Sequence, residues 1–433
     1  MVIDRIRRHK VVPSNANRRD AAARAHLVRM TPGKWRLVRV CDMVVRFFLP
    51  LIPTLRAIGG EDAQPNHMLV IEYWNLGDLA ILVPFLRNLR RSFPKARISL
   101  LVKRGLESFL KDQGIVDEFI PVRVPWAQHS SHWRKYNPFS RHWISLVRAV
   151  IALRRHRFDW AFSGRMDVRD NFLLWLSGAR RRIGYGFAGG GSFLTDRVTP
   201  DLSRPHRADI WLRLLEAVGK ASDSELRGFK LGDSELVSAR SFLRERGIPP
   251  GTFLVGIHPG ARNANRRWGC EHFAEVAQRA LEETDAHVLW FSEPGEDFEA
   301  PASGRCHAVS LGFRPFLAVL SRCQLLVCND SGPMHLANLL GVPVVAIFGP
   351  TNPVWFGPRG LQDQTVIRPE VWCRPCFDHC IFDQPYCLQT ISVEEVCAAV
   401  RTFARSAVTS SSEQVEVSKC AESDFCETNS CNE

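Results

Sequence analysis

Leu325-Leu326-Val327-Cys328-Asn329-Asp330-Ser331-Gly332-Pro333-Met334-His335-Leu336-Ala337-Asn338-Leu339-Leu340-Gly341 is the stretch from which the fold can be read. The apolar run Leu325 to Cys328, bounded by turn residues, suits a strand buried on both faces. Asn329 to Pro333 breaks the chain, and Asp330 or Ser331 can cap a helix whose apolar face carries Leu336, Leu339 and Leu340. Gly341 ends that helix, and Val342 to Gly349 reads as the next buried strand. Strand, loop, helix and strand in this order make a βαβ unit. Its loop lies at the carboxyl end of a strand and the amino end of a helix, where unpaired N–H groups and the positive end of the helix dipole favour an anion. Gly332 leaves no side chain in the way of a phosphate, and His335 sits about one turn inside the helix, facing back toward the same place. A well-capped structural loop accounts for the same residues, so the stretch alone leaves both readings open.

Two other segments repeat the pattern. Met68 to Trp74 reads as a strand, Asn75 to Asp78 as a loop, Leu79 to Phe93 as a helix that Pro84 should kink, and Ile98 to Val102 as a second strand. Asp78 therefore falls at a strand's carboxyl edge and a helix's start, where α/β sheets place their chemistry. A carboxylate there is favoured in its ionised form and can accept a proton, although an ordinary helix cap uses the same residue. Further along, strand Phe253 to Ile257 is followed by the loop His258 to Trp268 and then by a helix from Cys270 to Glu282. The loop carries Arg266 and Arg267, and a guanidinium donates to diphosphate oxygens in a planar fork.

In this order the three segments resemble those of glycosyltransferase family 9, the lipopolysaccharide heptosyltransferase group. The resemblance runs from about Met68 to Arg401. It implies an α/β chain of the GT-B class, with two Rossmann-like doubly wound domains facing a cleft. It also implies roles: Asp78 as catalytic base, Arg266 on the donor diphosphate, Glu296 on the nucleotide ribose, Ser331 and Gly332 on phosphate, and Asp330 and His335 on the donor sugar. Trp268-Gly269 departs from the family's usual Trp-Pro, which puts the stiffness of that loop in question. There is no Asp-x-Asp pair anywhere in the chain, which fits a metal-independent transferase that neutralises its leaving group with Arg and backbone amides.

The remaining composition sets bounds. At 433 residues the chain has room for two domains of ordinary size. The expected division is an extension over 1–65, an acceptor domain over 66–225, a donor domain over 226–405 and an acidic tail over 406–433. The formal net charge of +12 fits nucleic acid, an anionic membrane face or a phosphorylated substrate. Residues 1–50 hold twelve Lys/Arg against three Asp/Glu. The apolar segment that follows, Cys41 to Ile58, is broken by Arg46, Pro50 and Pro53. It is too interrupted to span a bilayer but suited to lying on one, so residues 1–60 are expected to make a peripheral membrane contact. The basic, aromatic stretch from Arg123 to Arg157 suits either a nucleic-acid surface or an edge that binds an anionic glycolipid. Met1 to Asp20 lacks the apolar core of a signal peptide, so the 13 cysteines are expected as thiols in the cytoplasm. Cys373, Cys376, Cys380 and Cys387 have a spacing that can hold zinc or an iron–sulfur cluster, but the family resemblance implies no metal.

These readings converge on an inverting glycosyltransferase on the inner face of the cytoplasmic membrane. It would move heptose or a related sugar from a nucleotide-sugar, ADP-heptose first, to an anionic lipid-linked saccharide, with no cofactor and no nucleic acid. The rival is a non-catalytic binder of anionic lipid or nucleic acid on the same scaffold.

Overall fold

A computed structural model describes Val40, Asp42, Met43 and residues 64–127, 137, 139–224, 228–293, 295–296, 298–360, 362–367, 371–376 and 380–403. Most of the basic arm over 1–60 and the whole tail over 406–433 lie outside the described residues. The chain divides into two compact units, Met1–Arg227 and Gly228–Glu433.

Unit one is a parallel sheet whose strands alternate with helices. In chain order these are β1 (His67–Glu72), α1 (Leu76–Ser92), β2 (Arg97–Lys103), β3 (Glu118–Val122), α2 (Arg141–His156), β4 (Trp160–Ser163), α3 (Val168–Leu176), β5 (Arg181–Gly184), β6 (Asp196–Arg197) and α4 (Arg207–Glu216). The strand order is β3-β2-β1-β4-β5-β6, with the first strand in the middle, and Val70 lies beside both Leu100 and Phe162. Because β1 is covered on both faces, its residues read as a continuous apolar run and show no alternation. Leu69, Ile71 and Tyr73 pack under Leu146, Ala149 and Leu153 of α2 and Leu173 and Leu174 of α3. Elsewhere in the unit α1 packs on α4, where Phe85 meets Trp211 with ring centroids 5.2 Å apart.

Unit two repeats the plan. It contains α5 (Asp233–Glu245), β7 (Leu254–His258), α6 (Cys270–Glu283), β8 (His287–Ser292), β9 (Cys306–Ser310), α7 (Phe313–Leu320), β10 (Leu325–Asn329), α8 (Gly332–Leu340), β11 (Val344–Phe348), β12 (Gln364–Ile367) and a closing helix, α9, over 393–403. The strand order is β12-β11-β10-β7-β8-β9, again with the first strand central. Val327 stands between Ile257 and Val345. Both sheets with their helices are Rossmann-like, and the fold is α/β of the GT-B class. α8 follows the expectation from its sequence closely: Ser331 is its N-cap, Met334, Leu336, Ala337 and Leu339 are buried, and Gly341 ends it at φ +75°.

One local expectation changes. α1 begins at Leu76 instead of Leu79, so Asp78 lies within its first turn and not in the loop before it. The cause is a reciprocal cap: the Asp78 carboxylate accepts from the backbone N–H of Asn75 at 3.1 Å, which starts the helix earlier.

Candidate active site

In unit two the site forms where β10 ends and α8 begins. Asn329, fully buried at the end of β10, ties the two loops of this edge together. Its side-chain N–H group donates to the carbonyl of Pro259 at 2.7 Å, and its Oδ1 accepts from the Trp268 N–H at 3.1 Å. The Trp268 ring is anchored in turn, donating through Nε1 to the carbonyl of Ile391 at 3.1 Å. This clamp brings Arg266, at the end of a short 3₁₀ turn, to Asp330, with Nη1 3.3 Å from Oδ2. Asp330 is buried, and its Oδ2 also accepts from the hydroxyl of Thr351 just beyond β11. Ser331 occupies the N-cap position but makes no capping bond, and its buried hydroxyl has no hydrogen-bond partner among the described residues. A Cβ built on Gly332 would meet nothing within 4 Å, so the space in front of the helix terminus is open. His335 follows one turn into α8 and is half-buried.

Arg266 and Arg267, adjacent in sequence, take separate partners. Arg267 donates to the carbonyl of Ala261 at 2.8 Å and to Glu296 at 2.8 Å. The structure thus holds Glu296 in an ion pair with Arg267. His258 closes the floor of this loop, buried at the end of β7 with Nδ1 3.3 Å from the carbonyl of Gly260. Burial pushes its imidazole down to about 4, so the ring is neutral at physiological pH. At Gly269 the chain takes φ +119°, a conformation closed to the proline that its family pattern carries there. The Trp-Gly departure therefore marks a different backbone path, beyond any loss of stiffness.

In unit one a second cluster lies at the carboxyl edge of the sheet. The Oδ1 of Asp78 pairs with Nη2 of Arg165 at 2.5 Å. Arg165, just beyond β4, also reaches Glu72 at the end of β1, with Nε and Nη2 both 3.3 Å from its carboxylate. The guanidinium lies 4.9 Å from the centroid of the Trp74 ring. Glu72 is 1% exposed. Burial raises it to about 7 against the pull of Arg165, and the charge of Asp78 adds to the rise. Burial also opposes the charge on Arg165, but Asp78 and Glu72 outweigh it and push the guanidinium above its usual range. Arg207, at the start of α4, is pushed down to about 10 by burial and by Arg165. Asp170 on α3 is raised well above the usual carboxylate range by burial and by Glu72, while its Oδ1 accepts from the Tyr73 hydroxyl. Glu72, buried beside Arg165 and a second carboxylate, can hold and release a proton near neutrality.

Asp78, Arg266, Glu296, Asp330, Ser331, Gly332 and His335 were the residues singled out from sequence. Of these, Arg266, Asp330, Ser331 and Gly332 gather at one helix terminus, and Asp78 lies in the other unit. Sequence reasoning did not single out Glu72, Arg165, Arg207, Asn329 or Thr351. Asn329 lies within the quoted stretch but reads there only as a break in the chain, and Thr351 has a local signal in a Gly-Pro-Thr turn directly after a buried strand.

Cysteine and histidine clusters complete the survey. The nine described cysteines are thiols. Burial together with Cys373 raises Cys376 to about 11, and Cys373 and Cys387 also rise, mainly through burial. The thiols of Cys373, Cys376, Cys380 and Cys387 lie near enough for their charges to interact, and Cys373 and Cys376 share a hydrogen bond, although no three of these sulfurs lie within 4.8 Å of one another. Among the described residues only His67, Glu118 and His156 bring ligand atoms within 4.8 Å of one another. Ser99 bridges two of them, 2.8 Å from His67 and 3.0 Å from Glu118, while His156 lies 3.5 Å from Glu118 and Arg97 lies on the same carboxylate. Trp126 and Trp143 turn inward: Trp126 donates to the Tyr73 hydroxyl at 3.0 Å and packs edge-on against Trp143. Trp133, Arg134, Lys135 and Tyr136 lie outside the described residues.

The profile of glycosyltransferase family 9 (heptosyltransferase) matches residues 146–385. Lipopolysaccharide heptosyltransferase 2 of Salmonella typhimurium is 25% identical over 328 residues, which covers 69% of this chain and 87% of that protein. Among solved structures, a glycosyltransferase family 9 protein of Veillonella parvula superposes with a TM-score of 0.59 at 23% identity, over 78% of this chain and 97% of that one. The ADP-heptose LPS heptosyltransferase II of Escherichia coli superposes with a TM-score of 0.57 at 18% identity, over 78% and 98% of the two chains.

Proposed function

Because the chain belongs to glycosyltransferase family 9, we propose that it transfers heptose, with inversion, from ADP-heptose to a lipid-linked saccharide of the lipopolysaccharide core. Membership makes it an enzyme and displaces the alternative of a non-catalytic binder. The names of its relatives support the donor and the acceptor class: one is an ADP-heptose enzyme and another a lipopolysaccharide heptosyltransferase. The observation that carries the reading is the terminus of α8. A guanidinium, a serine hydroxyl with no partner among the described residues and an open space at Gly332 surround N–H groups that have no acceptor within the helix.

The diphosphate gains negative charge as the glycosidic bond breaks. Arg266, the Ser331 hydroxyl and the first-turn amides of α8 meet that charge, with no metal ion required. Asp330 and His335 orient the heptose, and Glu296 contributes to the ribose edge while paired with Arg267. Asp78 takes the proton from the acceptor hydroxyl. Its Oδ2 is engaged by the helix cap and its Oδ1 by Arg165, so the acceptor must approach Oδ1 as Arg165 shifts its weight to Glu72. No helix among the described residues is long and apolar enough to cross a membrane. In this reading the enzyme works peripherally on the inner face of the cytoplasmic membrane, where a lipid-linked acceptor would meet it. The test is ADP release from ADP-heptose in the presence of membrane extract. Asp78→Asn should leave donor affinity nearly intact and cut turnover about 100-fold or more. Activity should survive EDTA. Unchanged turnover in Asp78→Asn, or complete loss in EDTA with recovery on adding magnesium, overturns this mechanism.

A further inference from the structure

The outer face of α2 is used by neither site, and its composition is unusual for a solvated helix. Leu146, Ala149 and Leu153 point into the core at i, i+3 and i+7. The opposite side should then be polar. Instead it carries Ile144, Val147 and Ile151, which are 45%, 55% and 49% exposed, preceded by Phe139 at 87%. At 3.6 residues per turn the three aliphatic side chains form one stripe. Arg141, Arg148 and Arg155 border it on one side and Arg154 on the other. The helix holds no Asp or Glu, and Arg141, Arg148 and Arg155 make no ion pair among the described residues.

We propose that this face of α2 rests on an anionic lipid bilayer. Aliphatic side chains flanked by arginines match a membrane interface, where the stripe enters the headgroup layer and the guanidinium groups meet lipid phosphates. The other occupants fit less well. Nucleic acid is held by aromatic stacking as well as charge, and the described tryptophans of this region, Trp126 and Trp143, face inward, which leaves Phe139 as the single outward aromatic among its described residues. A second copy related by a two-fold axis would set arginine rows against each other with no carboxylate on α2 to receive them. Position agrees with function as well. α2 runs back against parallel strands, so its amino end lies at the carboxyl edge of the sheet, the edge that carries Asp78. The purpose of such docking, delivery of a lipid-linked acceptor to that edge, rests on the function proposed above; the docking itself does not.

The experiment uses the full chain and two kinds of vesicle, phosphatidylcholine alone and phosphatidylcholine with phosphatidylglycerol. Wild type should bind the anionic vesicles more tightly, and Val147→Glu/Ile151→Glu should lower that binding about 10-fold or more. Arg148→Gln/Arg155→Gln, both at exposed positions, guards against misfolding of the first variant. It should lower binding about 20- to 30-fold at low salt, from about fivefold per arginine near the surface. Residues 1–60 are present in every protein compared, so the differences belong to α2. The proposal is overturned if both variants bind as wild type does. It is also overturned if they disperse a dimer seen by sedimentation, or if they instead lose affinity for a single-stranded oligonucleotide. Turnover on a deacylated, water-soluble acceptor should be the same in wild type and variants. Failure of wild type on that acceptor counts against the transferase reading and leaves the vesicle result standing.

Discussion

At the scale of single residues, charge placement is the main lesson. Asp78 and Arg266 stand out in the sequence because each sits in a local motif. Glu72, Arg165 and Thr351 could not, because their roles depend on partners far along the chain: Arg165 and Glu72 are 93 positions apart, and Thr351 and Asp330 are 21 apart. Glu72 yields a prediction with a definite sign. Its folded carboxyl is raised to about 7 from the ordinary 4.5, mainly by burial. The folded chain therefore holds that proton more tightly than the unfolded chain does, and the stabilisation is complete below about pH 4.5 and lost as pH rises through about 7. Glu72→Gln should flatten this fall, so that its melting temperature relative to wild type is higher at pH 8 than at pH 5. A constant difference across that range means Glu72 titrates normally. Thr351→Val removes the hydroxyl donor to the buried Asp330 carboxylate. It should cost about 1–2 kcal/mol in denaturant melts with unchanged slope. Arg266→Ala should cut turnover about 100- to 1000-fold, the scale of one lost oxyanion donor, and Arg266→Lys should restore only part of it because an ammonium lacks the fork.

Elements were most legible where burial is deepest. The strands β1, β7, β10 and β11 are near-continuous apolar runs, and the sequence boundaries fall within a residue or two of those observed. The edge strands were not read. β6 is only two residues long, and β9 and β12 are half-exposed with little apolar character. Short edge strands are held by their neighbours more than by their own composition. The early start of α1 was missed for a related reason: a capping carboxylate at its third position looks, in sequence, like a loop residue. The loop between β7 and α6 is where resemblance and structure part most clearly. At φ +119°, Gly269 holds a backbone shape that L-residues rarely adopt. Replacing it by the proline of the family pattern should destabilise the chain by about 1–3 kcal/mol and weaken ADP binding, since Arg266 is carried on that loop. Chemical denaturation and calorimetric titration would read both effects, and a stabilised Gly269→Pro would mean the loop follows the family path after all.

For the whole molecule, the net charge of +12 was legible at once, but its use was not, because sequence cannot say which basic stretch faces outward. The arm over 1–60 and the face of α2 make separate claims on the membrane. Deleting residues 1–60 should shift the protein toward the soluble fraction while vesicle binding through α2 persists, and identical partition at low and high salt would reject a role for the arm. The two-unit plan was readable because each βαβ segment announced a buried strand. The strand order was not, since periodicity does not say which strands are neighbours. That order has a consequence for how the chain is made. In both sheets the central strand is the first to leave the ribosome. β1 gains β2 early, but its other edge stays bare until β4 emerges, as β7 waits for β10. At about 5–20 residues per second these gaps last several seconds, during which a strand apolar on both faces offers an unpaired edge to any passing chain. Nascent chains stalled just before Trp160 or just before Leu325 should be protease-sensitive and captured by ribosome-bound chaperones. Extending them past β5 or β11 should abolish both behaviours.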